Sequence, residues 1–259
     1  MSISIALEAG VMSLGFNRPE KKNALTAAMY LDMTRALEQA EADDAVRVIL
    51  FHGSEVAFTA GNDLEDFLKA PPASQDAPAF RFIRAISQVA KPIVAAVCGP
   101  AVGLGTTMLL HCDLVYAAET AKFSLPFTAL GLVPEAAATL LLPMFAGHPL
   151  AAEKLLLGET FGAAEAQRLG LVGKLMPAAE VLPYARLQAD KLVALPEPSL
   201  RITKRLMKQG QADAVAARMA DEASEFIALL RAPEAKEAFA AFFERRKPDF
   251  AQFGRGERS

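Results

Sequence analysis

The segment from Lys91 to Glu135 reads KPIVAAVCGPAVGLGTTMLLHCDLVYAAETAKFSLPFTALGLVPE. It opens with an apolar strand pattern, PIVAAV, which runs into a glycine-rich turn and then into TTMLLHC, an apolar stretch that we predict to be helical. Two further strand patterns follow, DLVYAAE and KFSL. Strands that alternate with turns and helices in this way predict an α/β fold with crossover connections.

The same alternation precedes this segment. Strand patterns cover residues 3–7, 11–16 and 46–51. Thr26 is a good capping residue, so we predict a helix from there to about Glu41, followed by helices over 63–68 and 79–89. The stretch APPASQDAP, residues 70–78, is typical of a flexible loop.

After Pro134 the pattern changes, because helical periodicity continues to the end and only LVGKLM (171–176) resembles a strand. Helices are predicted over 136–142, 149–157, 163–169, 181–195, 198–208, 213–230 and 233–246. We therefore predict an α/β core over residues 1–195 and a C-terminal helical region over 196–259. A region of this size packs on its own core or on a neighbouring subunit.

Composition indicates a soluble globular protein. Of the 259 residues, 53% are hydrophobic, and the net charge of −3 without a basic stripe argues against nucleic acid as a partner. The N-terminal MSISIALEAG lacks the features of a secretory signal, and no apolar run reaches the roughly 20 residues that span a bilayer. We expect a cytoplasmic protein with no membrane partner, in which Cys98 and Cys112 are free thiols.

The sequence offers no obvious metal site, because His52, His111 and His148 lie far apart and lack ligand spacing. Two small-residue turns, AFTAGNDL and GPAVGLGTT, each follow a predicted strand. Backbone N–H groups that converge from two such turns would form an oxyanion hole. Alternatively, the glycines only make tight turns; these are Gly61, Gly103 and Gly105.

One acid interrupts the apolar stretch that follows. Glu135 lies between Pro134 and a run of alanines, with no Lys or Arg nearby in sequence to pair with it. A buried, unpaired carboxylate is costly unless its pKa rises, and a raised pKa suits a general base. The other interpretation is an ordinary acid in the first turn of a helix.

Five motifs occur in the order and spacing of the crotonase (enoyl-CoA hydratase/isomerase) superfamily, which the chain resembles over nearly its whole length. They are NRPEKKNALT, AFTAGNDL, the segment 91–135, GETFGAAEAQRLGLV and APEAKEAFAAFFERRKPDF. The resemblance implies a spiral of ββα units with a C-terminal helical region that takes part in subunit packing. It also implies trimers or dimers of trimers, and acyl-CoA thioester substrates with no separate cofactor, since coenzyme A is part of the substrate.

The resemblance also implies the site residues. The oxyanion donors fall on the N–H groups of Ala60 and Leu104, and Phe127 would line the pocket that holds the acyl group. Backbone that would bind coenzyme A surrounds Lys21, Lys22, Ala24, Ala60, Gly61, Asn62, Asp63 and Leu64. Asn62 and Asp63 have helix capping as an alternative role. Four further residues are compatible with either the acyl pocket or the core: Phe67, Leu68, Phe82 and Met108.

The departures from the family pattern are specific. Thr107 and Phe127 occupy the positions of the two hydratase glutamates, whereas Glu135 stands where hydratases have glycine. This pattern is similar to that of the Δ3,Δ2-enoyl-CoA isomerases, which use one glutamate to move a 3,4 double bond to the 2,3 position. The alternatives are another acyl-CoA reaction, such as enoyl-CoA hydration or dienoyl-CoA isomerisation, or a non-catalytic acyl-CoA-binding subunit.

Overall fold

The computed structural model describes residues 2–253. The strands in this range, numbered along the chain, are β1 (Ile3–Glu8), β2 (Val11–Phe16), β3 (Val48–His52), β4 (Ile93–Val97), β5 (Pro100–Val102), β6 (Leu114–Ala118), β7 (Lys122–Ser124), β8 (Phe161–Gly162) and β9 (Lys174–Met176). They form a large sheet in the order β1-β2-β3-β4-β6-β9 and a small sheet in the order β5-β7-β8. From β2 onward the large sheet is parallel, with β1 antiparallel at its edge.

Helices separate and cover these strands. They are α1 (Ala27–Ala42), α2 (Leu64–Lys69), α3 (Pro78–Gln88), α4 (Leu104–Thr107), α5 (Ala138–Ala146), α6 (His148–Leu157), α7 (Ala163–Arg168), α8 (Ala178–Val193), α9 (Glu197–Gln209), α10 (Ala212–Leu230) and α11 (Pro233–Glu244). Short 3-10 helices cover Pro19–Lys21, Met108–His111, Thr128–Leu130 and Phe250–Phe253. Thr26 caps α1 as predicted, since its side chain accepts a hydrogen bond from the Met29 N–H.

The chain forms a spiral because three strands of the large sheet, β3, β4 and β6, are each followed by a shorter paired segment in a second layer. β4 leads to β5 and β6 leads to β7, and these two short strands pair in parallel. β3 leads to Thr59, which forms a parallel bridge with Ala101 of β5. The α/β architecture of stacked ββα units, with a C-terminal helical region, is therefore confirmed.

The differences from the predicted elements lie where local patterns are weakest. β5 and β8 were not predicted, because strands of three and two residues show no periodicity. The helix expected from Ala136 begins instead at Ala138, since Ala136 and Ala137 both adopt left-handed backbone with φ of 62° and 55°.

The described part of the C-terminal region packs on the core of its own chain. The Phe226 ring of α10 lies 6.0 Å from the Phe67 ring and 5.8 Å from the Phe80 ring. Lys204 of α9 is buried and its Nζ contacts Asp113 Oδ2 at 2.6 Å. A role of this region in subunit packing stays a prediction, and residues 254–259 lie outside the described residues.

The two cysteines are free thiols, as predicted. Burial raises the pKa of Cys98 to about 11 and that of Cys112 to about 12. No helix within residues 2–253 combines the length and the apolar character needed to cross a bilayer.

Candidate active site

The two small-residue turns predicted from the sequence pack directly against each other. The Thr59 N–H donates to the Pro100 carbonyl, and the Val102 N–H donates to the Thr59 carbonyl, both at 3.0 Å. A Cβ atom on Gly61 would lie 2.7 Å from the Val102 carbonyl oxygen, and one on Gly105 would lie 2.5 Å from Thr59 Cγ2. Glycine at these positions is therefore what allows the two backbones to meet.

Between Thr59 and Asp63, the first turn has one N–H group that no described residue accepts. The Ala60 N–H donates to the Lys22 carbonyl at 3.0 Å, and the Asp63 N–H donates to the Leu25 carbonyl at 2.8 Å. The Gly61 N–H donates to Thr59 Oγ1 at 3.1 Å. Within residues 2–253, the Asn62 N–H has no acceptor. The bond made by Ala60 conflicts with its predicted role as oxyanion donor, and Asn62 offers the free group instead.

The second turn also offers a free N–H group. Gly103, with φ of 53°, donates its N–H to the Ser124 carbonyl at 3.0 Å, and its own carbonyl accepts from Thr106 and Thr107. Leu104 is the first residue of α4, where N–H groups have no partner inside the helix. No described residue accepts from the Leu104 N–H, and the Leu104 side chain is buried.

The segment predicted to bind coenzyme A runs beside the first turn. The Lys22 carbonyl accepts from Ala60, and the Leu25 N–H donates to the Gly61 carbonyl at 2.8 Å. Lys21 and Lys22 are exposed, so two cationic side chains border this turn. The structure thus brings Lys21, Lys22 and Ala24 next to residues 60–64.

Asp63 has the capping role that was the alternative in the sequence analysis. Its Oδ1 accepts from the N–H groups of Glu65 and Asp66 at the start of α2, which begins at Leu64. Its Oδ2 lies 2.5 Å from Arg18 Nη1. Burial opposes ionisation, but the hydrogen bond from Arg18 and those from the helix outweigh it and lower the pKa of Asp63. Asp63 therefore holds the turn in place.

Glu135 is a buried acid whose hydrogen bonds are incomplete. It is 2% exposed, and its Oε1 atom accepts a hydrogen bond from no described residue. Burial, with a contribution from the negative charge of Glu222, raises the pKa of Glu135 to about 8. These properties fit the general base predicted from the sequence. The alternative, an ordinary acid in the first turn of a helix, does not fit, because Glu135 precedes α5, which begins at Ala138.

Tyr30 of α1 connects Glu135 to the first turn. Its pKa is raised by burial and by the charge of Glu135, so the two side chains are within electrostatic range. The Tyr30 hydroxyl donates to Asn62 Oδ1. A cavity of about 30 Å³ adjoins this pair, with Leu25 and Phe67 also in its wall. Tyr30 and Asn62 therefore share the wall of one small cavity, and Glu135 acts on Tyr30 through its charge.

The residues at the hydratase positions offer no carboxylate. Thr107 is fully buried and its hydroxyl faces the Leu104 carbonyl at 3.5 Å. The buried Phe127 ring faces Gly103, with its Cζ 3.9 Å from where a Cβ on that glycine would lie. Of the other acyl-pocket candidates, Phe67 lines the cavity, Phe82 and Met108 belong to the core, and Leu68 is exposed.

Two buried side chains beside Glu135 were not predicted. His111 Nε2 lies 2.9 Å from the Ala136 carbonyl oxygen, and Glu222 of α10 accepts from the Ala137 N–H at 2.7 Å. A sequence signal for Glu222 existed, because it occupies a position in the apolar stripe of α10 formed by Met219, Ala223, Phe226 and Leu230.

The fold and the site define a spiral α/β protein with a buried, incompletely hydrogen-bonded carboxyl group and a free backbone N–H group on each of two packed turns. The family model for enoyl-CoA hydratase/isomerase matches residues 6–254. The chain belongs to this family.

Relatives in the family have several activities by name. The chain is 35% identical over 250 residues to enoyl-CoA delta isomerase 2 of Rattus norvegicus, with 94% of this chain aligned, and it spans 64% of that protein's length. It is 34% identical to 2,3-dehydroadipyl-CoA hydratase of Escherichia coli, with 95% of this chain and 97% of that protein aligned. The solved structure of Pseudomonas aeruginosa OdaA superposes with a TM-score of 0.92 at 45% identity, covering 94% of this chain and 99% of that one.

Proposed function

We propose that this protein is a Δ3,Δ2-enoyl-CoA isomerase, in which Glu135 moves a proton from C2 to C4 of an acyl-CoA thioester. The observation that carries the proposal is the buried carboxyl group of Glu135, which has an unpartnered oxygen and a raised pKa. Its charge reaches Tyr30, whose hydroxyl donates to Asn62 of the first turn. Membership of the family supports a reaction on an acyl-CoA, and this carboxyl group supports isomerisation within that class.

The proposed reaction needs one base and one oxyanion site. The Glu135 carboxylate takes a proton from C2, and the electrons of the broken C–H bond form the C2=C3 bond through a dienolate. The N–H groups of Asn62 and Leu104 stabilise the thioester oxyanion, and we propose Asn62 in place of Ala60 because its N–H is free. The 3,4 electron pair then takes the proton back from Glu135 at C4, so no water, cofactor or metal is consumed.

Hydration is a weaker proposal for this site. It requires a water molecule that acid–base groups hold and activate. Thr107 is directed at a backbone carbonyl and Phe127 presents a phenyl ring, so neither residue supplies such a group.

The exposed lysines beside the first turn support coenzyme A as the carrier of the acyl group. Lys21 Nζ lies 3.6 Å from Glu65 Oε1, with both side chains about half exposed or more, so this ion pair competes with solvent. Lys21 and Lys22 can therefore turn to the phosphates of coenzyme A. We keep the homotrimer or dimer of trimers as part of the proposal.

The experiment that tests the proposal supplies trans-3-hexenoyl-CoA and crotonyl-CoA separately and follows the absorbance of the conjugated thioester. We expect absorbance to appear from the 3-enoyl substrate and to stay constant with crotonyl-CoA. Loss of crotonyl-CoA absorbance at a comparable rate would indicate hydration and overturn the assignment. No change with either substrate would favour a non-catalytic binding role.

The raised pKa of Glu135 predicts the pH dependence of the reaction. The base must be ionised, and in the folded protein its pKa is raised from 4.5 to about 8. We therefore expect kcat/KM for the 3-enoyl substrate to increase about tenfold per pH unit below pH 8 and to level off above it. The measurement is a pH profile of kcat/KM from pH 5.5 to 9.5. A profile that is flat between pH 6 and 9 would contradict this assignment of the base.

A further inference from the structure

The two residues after Glu135 have an unfavourable backbone conformation. Ala136 and Ala137 have φ of 62° and 55°, in the left-handed region that alanine rarely adopts. Two such residues in succession persist only where the surrounding structure holds them. Because they connect Glu135 to α5, whatever holds them also sets the direction of the Glu135 side chain.

Both ends of the peptide group between these alanines are bound by buried side chains. Its carbonyl oxygen, which belongs to Ala136, lies 2.9 Å from His111 Nε2. Its N–H, which belongs to Ala137, donates to Glu222 Oε2 at 2.7 Å. His111 is 3% exposed and Glu222 is 5% exposed. We call this arrangement of His111 and Glu222 around one peptide group the peptide clamp.

Glu222 also binds the start of α5. Its Oε1 accepts from the Thr139 N–H at 3.0 Å and from the Thr139 hydroxyl at 2.6 Å. Arg218 Nη1 in turn donates to Thr139 Oγ1 at 3.0 Å. Glu222 thus accepts from three donors, and their geometry requires carboxylate oxygens in both positions.

His111 completes the clamp as a neutral donor. Burial is the main cause that lowers its pKa, to about 4, and Lys204 and Lys208 act in the same direction. At neutral pH the ring is therefore uncharged, and the carbonyl partner places the proton on Nε2.

We propose that Glu222 is a positioning residue for the base Glu135: it holds the Ala136–Ala137 peptide and the start of α5, and thereby fixes the direction of the Glu135 carboxyl group. The C-terminal region thereby contributes to the site of its own chain. This inference rests on the proposed function, and it assigns Glu222 no contact with substrate.

Glu222 has a second, electrostatic effect on the same carboxyl group. The charge that acts on Glu135 is that of Glu222, and the charge of Glu135 in turn raises the pKa of Tyr30. Burial raises the pKa of Glu222 itself, although its hydrogen bonds from Thr139 and Ala137 and the charge of Arg218 oppose this. The negative charge of Glu222 helps to raise the pKa of Glu135. Its removal is therefore expected to lower that pKa, which a purely structural role would not require.

The first test is Glu222→Gln, a replacement of the same shape without the charge. The new NH2 group replaces one carboxylate oxygen, so at least one of the three donors from Ala137 and Thr139 loses its acceptor. We expect kcat on trans-3-hexenoyl-CoA to fall roughly 10- to 100-fold with KM changed less than about threefold, since the base is displaced rather than removed. We also expect the midpoint of the kcat/KM profile to move to lower pH. Glu225→Gln, an exposed position on the same helix, is the matched control and should stay within about twofold of wild type.

A measurement without turnover separates this inference from the proposed function. In protein labelled with 13C at the glutamate carboxyl carbons, the Glu135 signal is identified by its loss in Glu135→Gln. The inference predicts a lower titration midpoint for this signal in Glu222→Gln, whether or not wild type isomerises the substrate. An inactive wild type would refute the proposed function alone.

Two results would overturn the inference itself. One is a folded Glu222→Gln protein with kcat within twofold of wild type and an unchanged Glu135 midpoint. If that variant does not fold, Thr139→Val removes one donor to Glu222 while the Glu222 charge and the shape of residue 139 are retained. We then expect kcat to fall roughly three- to tenfold, an effect of the size of one displaced contact. Unchanged kcat in Thr139→Val would be the second contradicting result.

Discussion

Replacing Glu135 with glutamine is expected to reduce kcat on a trans-3-enoyl-CoA by about 10³-fold or more, with little change in KM. Glutamine keeps the size of the side chain but can neither take the C2 proton nor return it to C4, and positioned proton transfer contributes roughly 10² to 10⁴ in rate. Because one group performs both transfers, both steps are lost together. Steady-state kinetics at pH 8 measure the effect, with the change in kcat separated from that in KM.

The stability of the Glu135→Gln protein shows whether activity is lost with the proton transfer or through unfolding. In the folded protein the pKa of Glu135 is raised, so its ionised form opposes folding, and this penalty grows as the pH rises from 4.5 towards 8. The Glu135→Gln protein should therefore have a Tm at least as high as wild type at pH 8. The exposed Glu159→Gln serves as the control with normal activity. A Glu135→Gln protein that keeps more than about a tenth of wild-type kcat would contradict the role of Glu135 as the base.

Replacing Leu104 with proline is expected to lower kcat/KM by roughly 10² to 10³, the effect of losing one oxyanion donor. Proline has no N–H, and its φ suits the first residue of a helix, which is the position of Leu104 in α4. The preceding residue, Gly103, has φ of 53° and ψ of −116°, which is outside the right-handed helical region that a following proline disfavours. The replacement therefore removes the donor with little change in backbone path.

Leu104→Ala is the matched control because it also removes the buried side chain but keeps the N–H group. Loss of that side chain is expected to cost about 2 to 5 kcal/mol of stability in either variant. The ratio of kcat/KM between the alanine and proline variants thus isolates the contribution of the donor. Equal kcat/KM for the two folded variants would show that the Leu104 N–H does not stabilise the oxyanion.

The family motifs predicted the spiral fold, the positions of the two turns and the choice of Glu135 as the candidate base. These features depend on local patterns, namely short apolar strands, glycines at close backbone contacts and one acid in an apolar run. The oxyanion donor on the first turn was predicted at Ala60, and we propose Asn62 instead for a physical reason. Whether Ala60 or Asn62 has a free N–H depends on the neighbouring segment from Lys22 to Leu25, which lies more than 30 residues away in sequence.

The clamp around the Ala136–Ala137 peptide was beyond local patterns for the same reason. His111, Glu135 and Glu222 come from three distant segments, and the left-handed backbone of two alanines has no sequence signal. The acid in the apolar stripe of α10 was the single available clue, since a buried carboxylate needs donors to face it. The pattern does not identify these donors, because Ala137 and Thr139 lie at the start of another helix, α5.

The transfer of one hydrogen from C2 to C4 by a single carboxylate is the central claim, and isotope transfer tests it most directly. The protein is mixed in excess with trans-3-hexenoyl-CoA carrying deuterium at C2, in ordinary water, and the product of one turnover is analysed by NMR. A buried base with an unpartnered oxygen predicts that a measurable share of the deuterium appears at C4. Product whose C4 hydrogen comes entirely from solvent would contradict a single-carboxylate shuttle.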